Sequence, residues 1–469
     1  MEEIVVDVLV IGWGKGGKTL AGSMGRTGRR VALVEQSDRM YGGSCINIAC
    51  VPTKDLVHSA ETRRDSDDPQ AWFADAVQGR DALTDKLRAR NYAMLAEMDT
   101  VTVIDGRARF TGPHDVEVMA GDERLNIHAE TIVINTGTIP APPTIDGASG
   151  SARVFDSTTI QHVDPLPKHL AIIGGGYVGL EFAGMFSHFG SKVTVISRSE
   201  RVLPREDRDV SEAVHAMLLE KGVEFHFSSV VERLVDNPDD GSVGLDVVTA
   251  GHAANLSVDA VLVATGRQPT TGDLGLADGG IAVDANGFVM VDERLRTSVP
   301  GVYAVGDVNG GPQFTYISLD DNRIVLNQLT GDGQRSTADR VAVPSTIFLT
   351  PPLARVGINE AQARASGRHV LVASKKVADI AAMPRPKIIG ETHGVIKFVV
   401  DPQTDLILGA TVFSIDAQEL VNLIALAMRA DITATALRNG IWTHPSSTEA
   451  LNEVLADLAD YDPGRVFTS

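Results

Sequence analysis

The chain has 469 residues, with 42 Lys or Arg against 61 Asp or Glu, a net charge of −19. That balance argues against nucleic acid and anionic membrane as partners, and no apolar run reaches the roughly 18 residues that cross a bilayer. A hydrophobic share of 43% fits a globular protein with several cores, and its two cysteines are too few for a secreted disulfide framework. The acidic start, "MEEIVVDVLVIG", reads as a strand rather than a secretory leader, so the expected compartment is the reducing cytosol.

One pattern occurs twice. "DVLVIGWGKGGKTLAGSMGRTGRRVALVEQ" (7–36) and "HLAIIGGGYVGLEFAGMFSHFGSKVTVISR" (169–198) superpose without a gap, with Gly12, Gly14 and Gly17 falling on Gly174, Gly176 and Gly179. Each reads as strand, glycine turn, helix and strand, the βαβ unit that takes a dinucleotide. The first glycine permits the turn, the second admits the pyrophosphate and the third lets helix pack on strand. Two aligned copies predict two bound dinucleotides.

The second strands end differently. Glu35 in the first copy can hydrogen-bond a free ribose and repels a 2′-phosphate, so that site suits FAD or NAD. Ser197 stands there in the second copy, followed by Arg198 and Arg201, whose guanidinium groups suit phosphate. The expectation is NADPH, with NADH as the alternative.

Between the copies, "YGGSCINIACVPTK" (41–54) holds Cys45 and Cys50. A metal site wants three or four ligands, and no third cysteine or histidine-rich tract accompanies the pair. A staple across five residues gains little loop entropy. A redox pair is the reading that remains.

"GGSCINIACVPTK" resembles the redox-active signature of the class I pyridine nucleotide–disulfide oxidoreductases, the family of glutathione reductase, dihydrolipoamide dehydrogenase and mercuric reductase. "INTGT" (134–138) and "VATGRQP" (263–269) resemble its two crossings between domains, "VYAVGDV" (302–308) its second FAD motif, and "HPSSTE" (444–449) its C-terminal motif. The resemblance implies an α/β fold with two Rossmann-like domains and an α+β C-terminal dimerisation domain. The expected division is 1–150 and 271–343 for FAD, 151–270 for NAD(P)H, and 344–469 for dimerisation. It implies that Cys45 meets the substrate and that Cys50 lies against the flavin as a charge-transfer thiolate. Lys54 would pair with Glu181 beside flavin and nicotinamide, and Tyr177 would gate the nicotinamide pocket. His444 of the partner subunit, oriented by Glu449, would be the acid–base for Cys45. Cofactor contacts fall to Gly43, Thr136, Gly137, Gly266, Gly306, Asp307 and Thr315, with Asp307 on the ribitol. No resident metal is implied. Read alone, "HPSSTE" is equally a helix start, with Ser446 or Ser447 capping.

In the last part of the chain, 394–401 and 406–414 are strand-like and 418–430 helix-like, while "DNPDDG" (236–241) is a solvated turn. "GKGGKTLA" (14–21), "LPREDRD" (203–209), "QFTYISLDDNRIV" (313–325) and "FLTPPLARVG" (348–357) resemble the bacterial reactive-chlorine-resistance flavoproteins, a branch described as copper(II) reductases. The resemblance implies a homodimer passing electrons from NADPH through flavin and the Cys45–Cys50 disulfide to a metal ion such as Cu(II). The alternatives are a low-molecular-weight disulfide reductase, a mercuric reductase, an oxidase reducing oxygen, or a redox sensor without turnover. Two departures from the family pattern stand out. Ala49 replaces the usual glycine before the second cysteine, and mercuric reductase's extra C-terminal cysteine pair is absent.

Overall fold

The computed structural model describes residues 2–460. Its first βαβ unit is β1 (Glu2–Ile11), α1 (Lys15–Arg26) and β2 (Val31–Glu35). The run "VALVE" is buried throughout, as expected of a parallel strand covered on both faces. Two helices carry the cysteines, α2 (Ser44–Asn47) and α3 (Cys50–Glu61), followed by the long α4 (Pro69–Ala96). Strands β3 (Val101–Asp105), β4 (Arg107–Phe110), β5 (Asp115–Ala120) and β6 (Glu123–Ile134) complete a sheet ordered β3-β2-β1-β6-β5-β4. β6 pairs with the antiparallel β5 along its first half and with the parallel strand Val302–Ala304 at its end. Residues far apart in the chain therefore meet at one edge of the first glycine turn.

The second unit is strand His169–Ile173, helix α5 (Tyr177–Phe189) and strand Lys192–Ile196. It lies in a five-stranded sheet joined in parallel by Val223–His226, Ala260–Val263 and Val154–Phe155. Helix α6 (Arg208–Glu220) follows, then an antiparallel three-stranded sheet, in which "DNPDDG" forms the turn between Ser229–Asp236 and Val243–Thr249. The two segments read as crossings meet as a ribbon, Thr138–Pro140 pairing with Arg267–Pro269.

Gly12 shows why the turns need glycine. Its φ is +97°, and a Cβ there would lie 2.5 Å from the carbonyl oxygen of Asn135. Gly174 repeats both features, with φ +124° and the same 2.5 Å approach to the oxygen of Ala264. In each copy the carbonyl at the end of the third parallel strand closes on the turn.

Helix α7 (Thr315–Thr330) packs against α1, and the remaining chain builds a six-stranded sheet that includes Val395–Val400 and Ile407–Phe413. The helix expected at 418–430 runs from Ala417 to Arg429 and buries Leu420, Val421 and Ile424 on that sheet, while Leu426 faces outward. "HPSSTE" does precede a helix, Ala450–Val454. Neither serine caps it, because Ser447 donates to Asp416 at 2.7 Å and Ser446 Oγ has no hydrogen-bond partner among the described residues. No helix among the described residues is long and apolar enough to cross a membrane.

Candidate active site

The two cysteines stand side by side as thiols in a cavity of about 2040 Å³. Single-ligand pockets reach about 1,000 Å³, so the space suits more than one ligand. It starts at Gly12, Trp13, Gly14 and Glu35, passes Gly43, Cys45, Cys50 and Lys54, and reaches Tyr177 and Glu181 at the start of α5. Thr136, Gly137, Asp307 and Thr315 close its other wall.

Cys50 is the first residue of α3, where the helix dipole favours an anion. Thr315 Oγ1, at the start of α7, lies 3.4 Å from its sulfur. The hydrogen bond from Cys45, against the effect of burial, then that of Thr315 and the charge of Lys54, hold the Cys50 thiol well below its ordinary range. The same hydrogen bond, together with burial, pushes Cys45 up, opposed by Thr315 and Lys18. The pair is thus split into one sulfur ready to be an anion and one that keeps its proton. Ala49 has φ −126°, outside the left-handed region that favours glycine. Gly43 lies inside it, and at φ +74° a Cβ would lie 2.9 Å from Gly14 Cα.

Lys54 Nζ lies 2.6 Å from Glu181 Oε2 and 4.9 Å above the Phe348 ring. Phe348 N donates to the other carboxylate oxygen at 2.8 Å, so three segments fix one ammonium beside the thiols.

At the first glycine turn, Glu35 accepts from Trp13 N at 3.0 Å and from Ser37 N at 3.3 Å, and burial pushes its carboxyl up to about 7. Gly17 packs on Val10 rather than lining the cavity. Asp307 accepts from Thr138 at 3.0 Å, and burial raises its carboxyl as well. Gly306 turns its N–H to Asp321 at 2.6 Å. Trp13 Nε1, Thr136 Oγ1 and Thr270 Oγ1 line or adjoin this space, buried and without partners among the described residues. Buried polar atoms are rarely left so. Together with the bare glycine turns they fit a dinucleotide whose own groups complete them.

Other expected residues lie outside this cavity. Gly174, Gly176 and Gly179 form the second turn, and Gly266 precedes the crossing ribbon. Arg198 is exposed with no partner among the described residues, whereas Arg201 Nη2 donates to the carbonyls of Pro204 at 2.9 Å and Glu206 at 3.2 Å. The loop's own carbonyls therefore hold one of the two arginines read as phosphate ligands. His444, 70% exposed, bonds Glu449 at 2.8 Å through Nδ1. Burial pushes the Glu449 carboxyl up, but His444 and the 2.8 Å bond from Ser446 N bring it below its usual value. No histidine lines the cavity of the cysteines among the described residues.

Sequence reasoning missed Asn135. Its Oδ1 accepts from Gly17 N at 2.9 Å and its Nδ2 donates to Val305 O at 2.7 Å, tying the first unit to the returning chain. The available signal was a polar residue closing the apolar run "TIVIN" as the second residue of the motif "INTGT".

The pyridine nucleotide-disulphide oxidoreductase model matches residues 6–321, and that family's dimerisation domain matches 343–455. The chain belongs to this family. It is therefore an oxidoreductase working with flavin, pyridine nucleotide and a redox disulfide, and it carries the family's dimerisation domain. It is 44% identical to the probable pyridine nucleotide-disulfide oxidoreductase RclA of Escherichia coli, over 96% of this chain and 98% of that protein. It is 33% identical to a dihydrolipoyl dehydrogenase of Thermus scotoductus, over 96% and 97% of the two chains. A solved structure, the Cu(II) complex of the HOCl-induced flavoprotein disulfide reductase RclA from E. coli, superposes with a TM-score of 0.91 at 44% identity. That match covers 97% of this chain and 99% of the other.

Proposed function

We propose that this enzyme moves two electrons from NADPH by way of FAD to the Cys45–Cys50 disulfide, and from there to a metal ion, Cu(II), in defence against oxidants. The observation that carries the reading is the unequal thiol pair in a cavity that begins at one glycine turn and ends at the helix start of the other. FAD would occupy the first unit, with Glu35 at its ribose and Asp307 at its ribitol. NADPH would occupy the second, with Arg198 at the 2′-phosphate and Arg201 bracing the loop. When bound, the flavin carries a hydride's two electrons between the nicotinamide and sulfur.

The chain's own groups divide the rest. Tyr177 covers the nicotinamide entrance, and Lys54, fixed by Glu181, keeps positive potential where negative charge arrives. Two electrons and one proton open the disulfide; Cys50 is left as the anion at the start of α3 and Cys45 as the thiol that faces the acceptor. Two Cu(II) ions take one electron each, the disulfide re-forms and the one proton held by Cys45 leaves. His444 of the partner subunit, its Nδ1 fixed by Glu449, takes the proton of Cys45. That no histidine among the described residues lines the cavity of the cysteines supports a base from the partner, and the likeness to a protein solved with Cu(II) supports the acceptor. The cytosol, rich in NADPH, is the proposed compartment.

The test is an anaerobic titration of the flavin-loaded enzyme with NADPH and with NADH, following the visible spectrum, in wild type and Cys50→Ser. A long-wavelength band near two-electron reduction that is lost in the variant supports the relay, and acceptor assays with Cu(II), Hg(II) and disulfides then identify its output. Identical bleaching in both proteins removes the disulfide from the circuit.

A further inference from the structure

Each thiol has a lysine acting on it, and only one of the two lysines is neutralised. Lys54 acts on Cys50 and is itself paired with Glu181. Lys18 acts on Cys45 from α1, in the segment "GKGGKTLA", and is only 8% exposed. Its ammonium is held by neutral acceptors, Oδ1 of Asn91 and, at 3.5 Å, the carbonyl of Gly42. Burial and the neighbouring Lys15 pull it down to about 8, and the one opposing influence is Cys45. A buried cation without a carboxylate is costly, and a native structure that keeps one has an anion to match.

The surroundings aim it. Asn91 donates to Leu87 O at 2.8 Å on α4, which fixes its oxygen toward the lysine. Gly42 belongs to the turn that opens into α2, three residues before Cys45. The other cation against α2, Arg88 of α4, bonds Asn47 at 2.9 Å and is balanced by Asp85 at 2.7 Å. Cys45 itself feels Cys50 of α3, Thr315 of α7 and Lys18 of α1. Among the described residues no carboxylate pairs with Lys18, which leaves an uncompensated positive charge at the base of the cysteine turn.

We propose that Lys18 is a positioning residue for the redox pair: its ammonium, fixed by Asn91 and Gly42, stabilises the thiolate of Cys45. It acts when Cys50 is already an anion and a second negative charge must form on the neighbouring sulfur. The consequence for turnover rests on Cys45 being the acceptor-facing thiol; the charge effect itself does not.

The experiment uses flavin-loaded Cys50→Ser, in which Cys45 is the chain's sole cysteine. The rate of its alkylation by iodoacetamide is measured against pH alone and combined with Lys18→Met, Lys18→Gln and Lys18→Arg. The rate reports the thiolate fraction. With Met or Gln the midpoint moves up by about one unit and the rate at pH 7 falls about tenfold, while Arg keeps both near the parent. Gln retains hydrogen-bonding capacity toward Asn91 and Gly42, so it serves if Met disturbs folding. Coincident midpoints in folded, yellow Gln and parent proteins overturn the proposal. Turnover that survives Cys45→Ser would instead overturn the relay and leave the alkylation profile as it is.

Discussion

Replacing Thr315 by valine removes a hydroxyl that acts on both thiols and most directly on Cys50. That hydroxyl lies 3.4 Å from Cys50 Sγ, and when the sulfur is an anion only the hydroxyl can donate. Hydrogen bonds to charged groups contribute about 1.5–3 kcal/mol, and 1.36 kcal/mol corresponds to one pKa unit. At 3.4 Å to a diffuse sulfur the lower end applies, so the midpoint for thiolate formation should rise by about one unit in Thr315→Val. The assay follows the long-wavelength band of the two-electron-reduced enzyme from pH 4 to 9. Wild type should keep the band to lower pH than the variant, and Thr315→Ser should recover most of the difference. The sign extends to stability. Cys50 is depressed in the folded state, so its contribution is present above the ordinary thiol range and is lost as pH falls through the depressed one. The variant should carry less of this contribution and finish losing it at a higher pH in urea unfolding of the reduced protein. Superimposable band titrations for wild type and Thr315→Val would refute the argument, and would leave Cys45 and Lys54 to account for the depression.

Hybrid dimers test the shared site. Cys45→Ser and His444→Ala homodimers should each lose activity, about 100-fold or more for the histidine. A purified hybrid of the two subunits should regain about half of wild type, since symmetry leaves it one complete site; an inactive hybrid would place both residues in one subunit's site. Lys397, 3% exposed, lies 3.1 Å from Asp207 and 3.0 Å from Asp209 and also pairs with Glu360, bridging the second dinucleotide unit to the C-terminal sheet. Lys397→Met should strand the buried Asp207 beside two half-buried carboxylates and destabilise the protein by about 3–5 kcal/mol in urea unfolding. A loss below about 1 kcal/mol would mean that water reaches the cluster.

What was legible in the sequence is what backbone geometry forces locally. Gly12 and Gly174 announce two units because positive φ and a carbonyl 2.5 Å from the absent Cβ leave no other residue there. His444 and Glu449 are legible because five residues of chain bring their side chains into contact. Arg201 shows the limit: a cation after the second strand is visible, but the carbonyls of Pro204 and Glu206 that hold it arise only once the loop closes. Asn135 shows it again, since its two partners lie 118 and 170 residues away and no periodicity links them. The two lysines make the contrast sharpest. Lys54 follows the cysteines directly and its partner Glu181 sits in a helix that the glycine motif predicts, so motif resemblance finds the pair. Lys18 lies in the first motif's own helix, where a pattern reads it as a surface residue. Its burial depends on Asn91 from α4 and on the Gly42 turn, two segments that the dinucleotide fingerprint does not describe. A cation inside a dinucleotide helix, without a carboxylate and beside a redox thiol, is thus visible only when three elements are assembled, and its charge then acts on chemistry that the motif itself does not encode.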